Sequence, residues 1–203
     1  MTSNWVPLGV EGCDPNPFRQ FVYWFDEAKP VMREREAVVL ATATLDAHPS
    51  SRYVLLRHID DHTFGWYSNY LSRKGRELQE NPFASLLWYC EPLGRQIRIE
   101  GHVDSMSAEE SDAYFAHRPR GHQIGAHASH QSAPLKSREE LEERVVELDA
   151  FFADEVVPRP AHWGGFKLTP THFEFWQHRE DRLHDRVFYD LDAGHWTLER
   201  HAP

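Results

Sequence analysis

The chain is poor in cysteine, in lysine and in uninterrupted apolar sequence, and each shortage removes a class of protein. Two cysteines, Cys13 and Cys90, with no CxxC between them, cannot supply a disulfide framework. The longest apolar run, residues 37–45, falls well short of the roughly 20 residues needed to cross a bilayer, so no membrane partner is expected. The opening MTSNWVPLG has neither a basic n-region nor an apolar h-region; no signal peptide is expected, and the chain reads as cytoplasmic. GxGxxG, GxxxxGK[ST] and GxSxG are all missing, which withdraws the usual support for a dinucleotide fold, a P-loop or an α/β-hydrolase.

What is present is a chain of 203 residues with 40% hydrophobic and 13% aromatic residues, enough for one well-packed domain. Lys+Arg 22 against Asp+Glu 32 gives a net charge of −10, the wrong sign for a nucleic-acid partner. Arginine outnumbers lysine 18 to 4, and the basic residues are knotted. Arg52, Arg57, Arg73, Lys74 and Arg76 form one group, Arg118 and Arg120 a second, Arg179, Arg182 and Arg186 a third. Any one arginine is most simply a surface ion pair. Knots of them in an acidic protein point to small anionic ligands, because the guanidinium fork matches carboxylate and phosphate.

Residues 1–13 read as a loose arm and 14–203 as a single domain. Asp14 and Pro15 predict a helix start, with Phe18, Phe21, Val22 and Phe25 as its apolar stripe to about Val31. Short β-branched or aromatic runs follow at 37–45, 52–58, 64–68, 84–89 and 96–103, then at 165–168, 172–176, 182–189 and 195–200. Between them, Ser72 predicts a helix to Glu80 and Ser107 one to His117. Ser137 with Glu140 reads as a capping box, followed by Leu141, Val145, Leu148 and Phe152 at helical spacing. The fold class is mainly β with α additions: an antiparallel barrel with peripheral helices. Turns between the early strands are too short for parallel crossovers.

Fourteen histidines raise a metal reading, but His58/His62 flank a turn, and His122, His127 and His130 lack a cysteine or carboxylate at ligand spacing. No metal is expected. RYVLLR, residues 52–57, places Arg52 and Arg57 on opposite faces of a strand, one guanidinium for each of two anions. Ser72-Arg73-Lys74 starts a helix, where free N–H groups favour an anion. Residues 175–186, FWQHREDRLHDR, hold a tryptophan, three arginines and two histidines, a setting for a flat charged heterocycle.

These segments, with YSNYLSRKGRELQENPFASLLW, GRQIRIEG, YFAHRPRGHQIGAHASHQS, WGGF and LERHAP in this order, resemble the pyridoxine/pyridoxamine 5′-phosphate oxidases of the FMN-binding split-barrel superfamily. The resemblance runs over residues 14–203. It implies FMN as cofactor, with phosphate and ribityl contacts from Arg52, Arg73, Lys74, Gln131 and Ser132. It sets the strand Arg52, Tyr53, Val54, Leu55, Leu56 and Arg57, together with Tyr67 and Ser68, against the flavin. Gln96, Trp176 and Arg186 would complete that site. Arg57, Tyr114, Arg118 and His122 would hold the phosphate of a small phosphorylated pyridine substrate. Arg182 and His184 would face its ring as catalytic residues.

A homodimer with flavin sites at the subunit interface, molecular oxygen as acceptor, and hydrogen peroxide as by-product follow from the same resemblance. The sequence departs from the family on the substrate side. Arg57 replaces a usual lysine, His122 a usual serine, and residues 178–181 a usual glycine-containing loop; the arm has WVPLGVEG in place of an arginine–tyrosine motif. Those departures keep open a diverged flavin oxidase of another small anionic aromatic, of phenazine-pathway type, and a non-catalytic flavin- or pyridoxal-phosphate-binding protein.

Overall fold

In the computed structural model, which describes residues 7–203, the β-branched and aromatic runs form one antiparallel sheet that curls into a half-barrel. Its strands are β1 (Ala37–Ala43), β2 (Pro49–Leu55), β3 (His58–Ile59), β4 (Phe64–Asn69), β5 (Phe83–Cys90), β6 (Arg95–Ser105), β7 (Trp163–Gln177), β8 (Asp185–Asp192) and β9 (His195–His201). The path is β2-β1-β5-β6-β7-β4-β3, with β8 and β9 added beside β7. Strand β7 pairs with β6 from Phe166 to Gln177, but its other edge is shared. Trp163 to Leu168 pair with β4, and His172 to Gln177 pair with β8. The sheet divides there.

The two strands expected at 165–168 and 172–176 are therefore one. Thr169-Pro170-Thr171 reads as a break because proline cannot donate to a ladder. The strand survives by a register shift at Glu100/Gly101, where Gly101 faces Pro170 and a Cβ on Gly101 would collide with the Thr169 carbonyl. The strand expected at 182–189 begins only at Asp185, since Asp181 (φ 55°) and Arg182 (φ 61°) are left-handed and form a turn. The strand expected at 52–58 is Pro49–Leu55, followed by the two-residue β3.

Five helices stand against the sheet: α1 (Pro17–Glu27), α2 (Arg73–Glu80), α3 (Ala108–Ala116), α4 (Arg120–Ala128) and α5 (Arg138–Phe152). Helix α1 starts later than expected. Asn16, not Asp14, is its N-cap, accepting from the N–H groups of Phe18 and Arg19, and Pro17 fills the first turn. Asp14 instead accepts from the Asn16 N–H at 2.8 Å. Phe18, Phe21, Trp24 and Phe25 bury against Leu40, Phe64, Phe173 and Phe175 on the concave face, each contributing about 1.5–3 kcal/mol by burial.

Ser72 and Ser107 cap α2 and α3 as expected, Ser107 in a full capping box with Glu110. The box expected at Ser137 is half-made, because Glu140 reaches back to the Lys136 N–H. Helix α4 follows Pro119 with no sequence signal that predicts it. Helices α3 to α5 enclose a second core of Phe115, Ile124, Val157 and Trp163. Of the arm expected at 1–13, residues 1–6 lie outside the described residues. The rest packs: Leu8 is buried and its N–H donates to Asp185 at 3.1 Å, while the Asp14 carbonyl accepts from Tyr189.

Candidate functional site

The alternation of strand β2 sorts the RYVLLR side chains into two sets. Val54 and Leu56 enter the core, so only their backbone is available to a ligand. Tyr53 and Leu55 are exposed on the other face, and Arg57, past the strand end, continues that side. Arg52 turns the opposite way, toward α2. The expected division of Arg52 from Arg57 is thus present as geometry.

Leu55, Arg57, Tyr67, Ser68, Tyr114, Arg118, His122, Gln131 and Trp163 line one cavity of about 770 Å³, with Pro119, Gly121 and Gly125 at the start of α4. Its wall is aromatic: Tyr67 stacks on Tyr114 at 3.7 Å and on Trp163 at 5.4 Å, all three rings nearly parallel. The Arg118 guanidinium lies over the Trp163 ring at 4.5 Å, and its Nη1 is buried with no hydrogen-bond partner among the described residues. Burial pushes the Arg118 pKa down, and the buried N–H is a donor that an anion would satisfy.

Beside this cavity is a cationic cradle. Lys74 is buried, and its Nζ donates to Ser68 at 3.1 Å, Ser72 at 3.2 Å and Gln131 at 2.9 Å. Among the described residues it has no carboxylate partner. Burial, then the neighbouring Arg52 charge, push its pKa down to about 8. The Arg73 N–H donates to Ser132 at 3.2 Å, which ties the 131–132 turn to α2. Glu77, one turn further along, accepts from Arg73 Nε at 2.8 Å and reaches Arg52 Nη2 at 3.4 Å.

The remaining expected residues gather elsewhere. Gln96, Trp176 and Arg186 stand opposite one another across β6, β7 and β8. His184 packs against Trp176 at 4.5 Å, and its Nδ1 accepts from the Arg179 N–H at 3.1 Å. Arg182 is exposed in the adjoining turn. None of these five lines the cavity. The structure thus forms three groups: the cavity, the cradle and the β7–β8 cluster. Ser72 was singled out from the sequence as the start of an anion-favouring helix, while Trp163 and Glu77 were missed as site residues. Only Glu77 had a signal, its place four residues after Arg73.

The half-barrel and its two separate groups of cationic side chains define a split-barrel protein. Residues 25–151 match the family model for pyridoxamine 5′-phosphate oxidase, and residues 163–203 that for the pyridoxine 5′-phosphate oxidase C-terminal dimerisation region. The chain is 51% identical over 197 residues to the pyridoxine/pyridoxamine 5′-phosphate oxidase of Rubrobacter xylanophilus, covering 97% of this chain and 91% of that one.

The structure of PhzG from Burkholderia lata, solved with tetrahydrophenazine-1-carboxylic acid, superposes with a TM-score of 0.90 at 34% identity, covering 97% of this chain and 98% of that one. A pyridoxamine 5′-phosphate oxidase-related, FMN-binding protein from Nostoc punctiforme shares the fold at a TM-score of 0.73 and 16% identity, over 92% of this chain and 97% of that one. The chain belongs to the pyridoxine/pyridoxamine 5′-phosphate oxidase family and is an oxidoreductase.

Proposed function

We propose that this enzyme oxidises pyridoxine 5′-phosphate or pyridoxamine 5′-phosphate to pyridoxal 5′-phosphate, with molecular oxygen as acceptor and hydrogen peroxide as by-product, releasing ammonia from the amine. Its cofactor is FMN. The residues fit that group: the cradle holds a buried ammonium with no counter-carboxylate, suited to a phosphate. Arg52, Arg73, Lys74, Gln131 and Ser132 would hold the phosphate and ribityl chain, and Tyr67 with the backbone of residues 52–57 would flank the ring. When bound there, FMN would supply the two-electron redox chemistry for oxidation at the substrate C4′, with oxygen as the final acceptor.

The observation that carries the substrate reading is the buried Nη1 of Arg118, unpartnered among the described residues, which gives the cavity a fixed donor for an anion beside an aromatic wall. Arg57, Tyr114 and His122 would complete that phosphate site. The β7–β8 cluster would come from the second subunit of a homodimer, since the matched dimerisation region, 163–203, contains Trp176, Arg182, His184 and Arg186. His184 would act as a hydrogen-bond donor. Its Nδ1 accepts from the backbone, so the neutral ring carries its proton on Nε2. Burial, His178 and Arg182 push its pKa down, which favours the neutral ring.

Anaerobic mixing of the FMN-loaded enzyme with either vitamer phosphate should bleach the visible flavin absorbance. Air should restore it as pyridoxal 5′-phosphate accumulates. A flavin that stays oxidised with both would overturn the reading. Replacing Arg182 by Ala should leave flavin content intact and lower turnover on the order of 100-fold through lost positioning. One observation supports a second substrate class: Arg57 and Arg118 both present guanidinium forks, which take a carboxylate as readily as a phosphate.

A further inference from the structure

Glu77 is a buried carboxylate in the wall of a site meant for an anion, which simple charge matching disfavours. Its side chain is 4% exposed, and each oxygen is engaged. Oε1 accepts from Arg73 Nε at 2.8 Å. Oε2 accepts from the Thr42 hydroxyl, from Ser50 Oγ at 2.7 Å and from Arg52 Nη2 at 3.4 Å. Thr42 and Ser50 in turn each accept from Arg52, so strands β1 and β2 are tied to helix α2 through this one group.

The arrangement leaves particular donors over. Arg73 is anchored by Nε, its head is more than half exposed, and among the described residues neither Nη group has a hydrogen-bond partner, which leaves both to fork an anion. Arg52 is fixed by its two terminal nitrogens, and Nη1 also donates to the Leu40 carbonyl. Its charge is therefore held in place beside Lys74. Three cations and one carboxylate leave a surplus of two positive charges, which matches the charge of a phosphomonoester near neutral pH. Without the carboxylate, three close cations would repel one another, and the long arginine side chains would lose the geometry that makes their N–H groups converge.

We propose that Glu77 is a positioning residue for the cofactor phosphate: it prearranges Arg52 and Arg73, so that neutralising it weakens FMN binding although it makes the site more positive. The inference rests on the placement of the FMN phosphate at the cradle. Plain electrostatics gives the opposite sign, an anion bound more tightly by a more cationic site.

The test is titration of the apoprotein with FMN and, separately, with riboflavin, which has no phosphate. Wild type should prefer FMN. In Glu77→Gln the dissociation constant for FMN should rise at least tenfold, while that for riboflavin stays within about twofold; a merely structural defect would weaken both alike. Ser50→Ala, a milder change that removes one of the donors to Glu77, should shift the FMN constant in the same direction by a smaller factor, and serves if Glu77→Gln fails to fold. Unchanged or tighter FMN binding in these variants, against a wild type that does prefer FMN, would overturn the role of Glu77 alone. A wild type with no preference for FMN would overturn the phosphate placement and the inference with it.

Discussion

Lys74 sits among Ser68, Ser72 and Gln131 with no carboxylate among the described residues to share its charge, and its pKa falls to about 8 from an ordinary 10.5. Two signs follow. Between about pH 8 and 10.5 the unfolded chain binds a proton that the folded apoprotein has lost, so this residue makes the apoprotein more stable as pH rises through that window. Cofactor binding goes the other way. A phosphate stays dianionic above its second pKa of about 6, while its partner ammonium disappears. FMN affinity should therefore fall as pH rises through about 8, and apoprotein titrations at several pH values check it; a flat profile would remove Lys74 from the phosphate site.

Arginine knots were visible in the sequence because arginine is informative by type and because few lysines compete with it. Which arginine faces which group was not visible. The partner that decides it for Arg52 and Arg73 is Glu77, and a glutamate in an acidic chain carries no mark of burial.

At the scale of elements, caps and strand composition were the most readable signals. Ser72, Ser107 and the short β-branched runs gave α2, α3 and most strands within a few residues. Helix α4 has no side-chain cap and begins with Arg-Gly-His, so nothing local announces it; it exists because Ile124 and Ala128 are buried, Ile124 beneath Trp163 in the second core. Strand β7 was misdivided because the glycine that rescues its proline lies on another strand. The capping box of α3 has a functional corollary, since α3 carries Tyr114 to the cavity wall. Replacing Ser107 by Ala should cost about 1 kcal/mol and lower the melting temperature by roughly 2–4 °C. Calorimetry gives the first effect, and steady-state kinetics should show a raised KM with FMN content unchanged.

At the scale of the whole molecule, the sheet leaves apolar surface uncovered. Val39, Tyr53, Leu87 and Tyr89 line a shallow groove on the outer face of β1, β2, β5 and β6, beside Gln96, and Tyr53 is 75% exposed. Such a patch on an otherwise strongly acidic surface is suited to a second copy of the chain. Leu87→Glu should shift the protein toward monomer in sedimentation equilibrium and lower FMN occupancy in parallel. A variant that stays dimeric with full flavin would place the interface elsewhere.

Strand β7 bears on this from another direction. Trp163 at its start forms part of the cavity wall, and Trp176 near its end belongs to the β7–β8 cluster. Thirteen residues of extended chain separate them, a path of roughly 40 Å. Two half-sites at opposite ends of one strand would become a genetic property if two chains share them. An Arg118 variant and an Arg182 variant should then each lose turnover as homodimers. A mixed dimer would concentrate both lesions in one site and leave the other whole. Equal co-expression with random pairing should then restore roughly a quarter of the wild-type active sites, from two genes neither of which encodes a working enzyme.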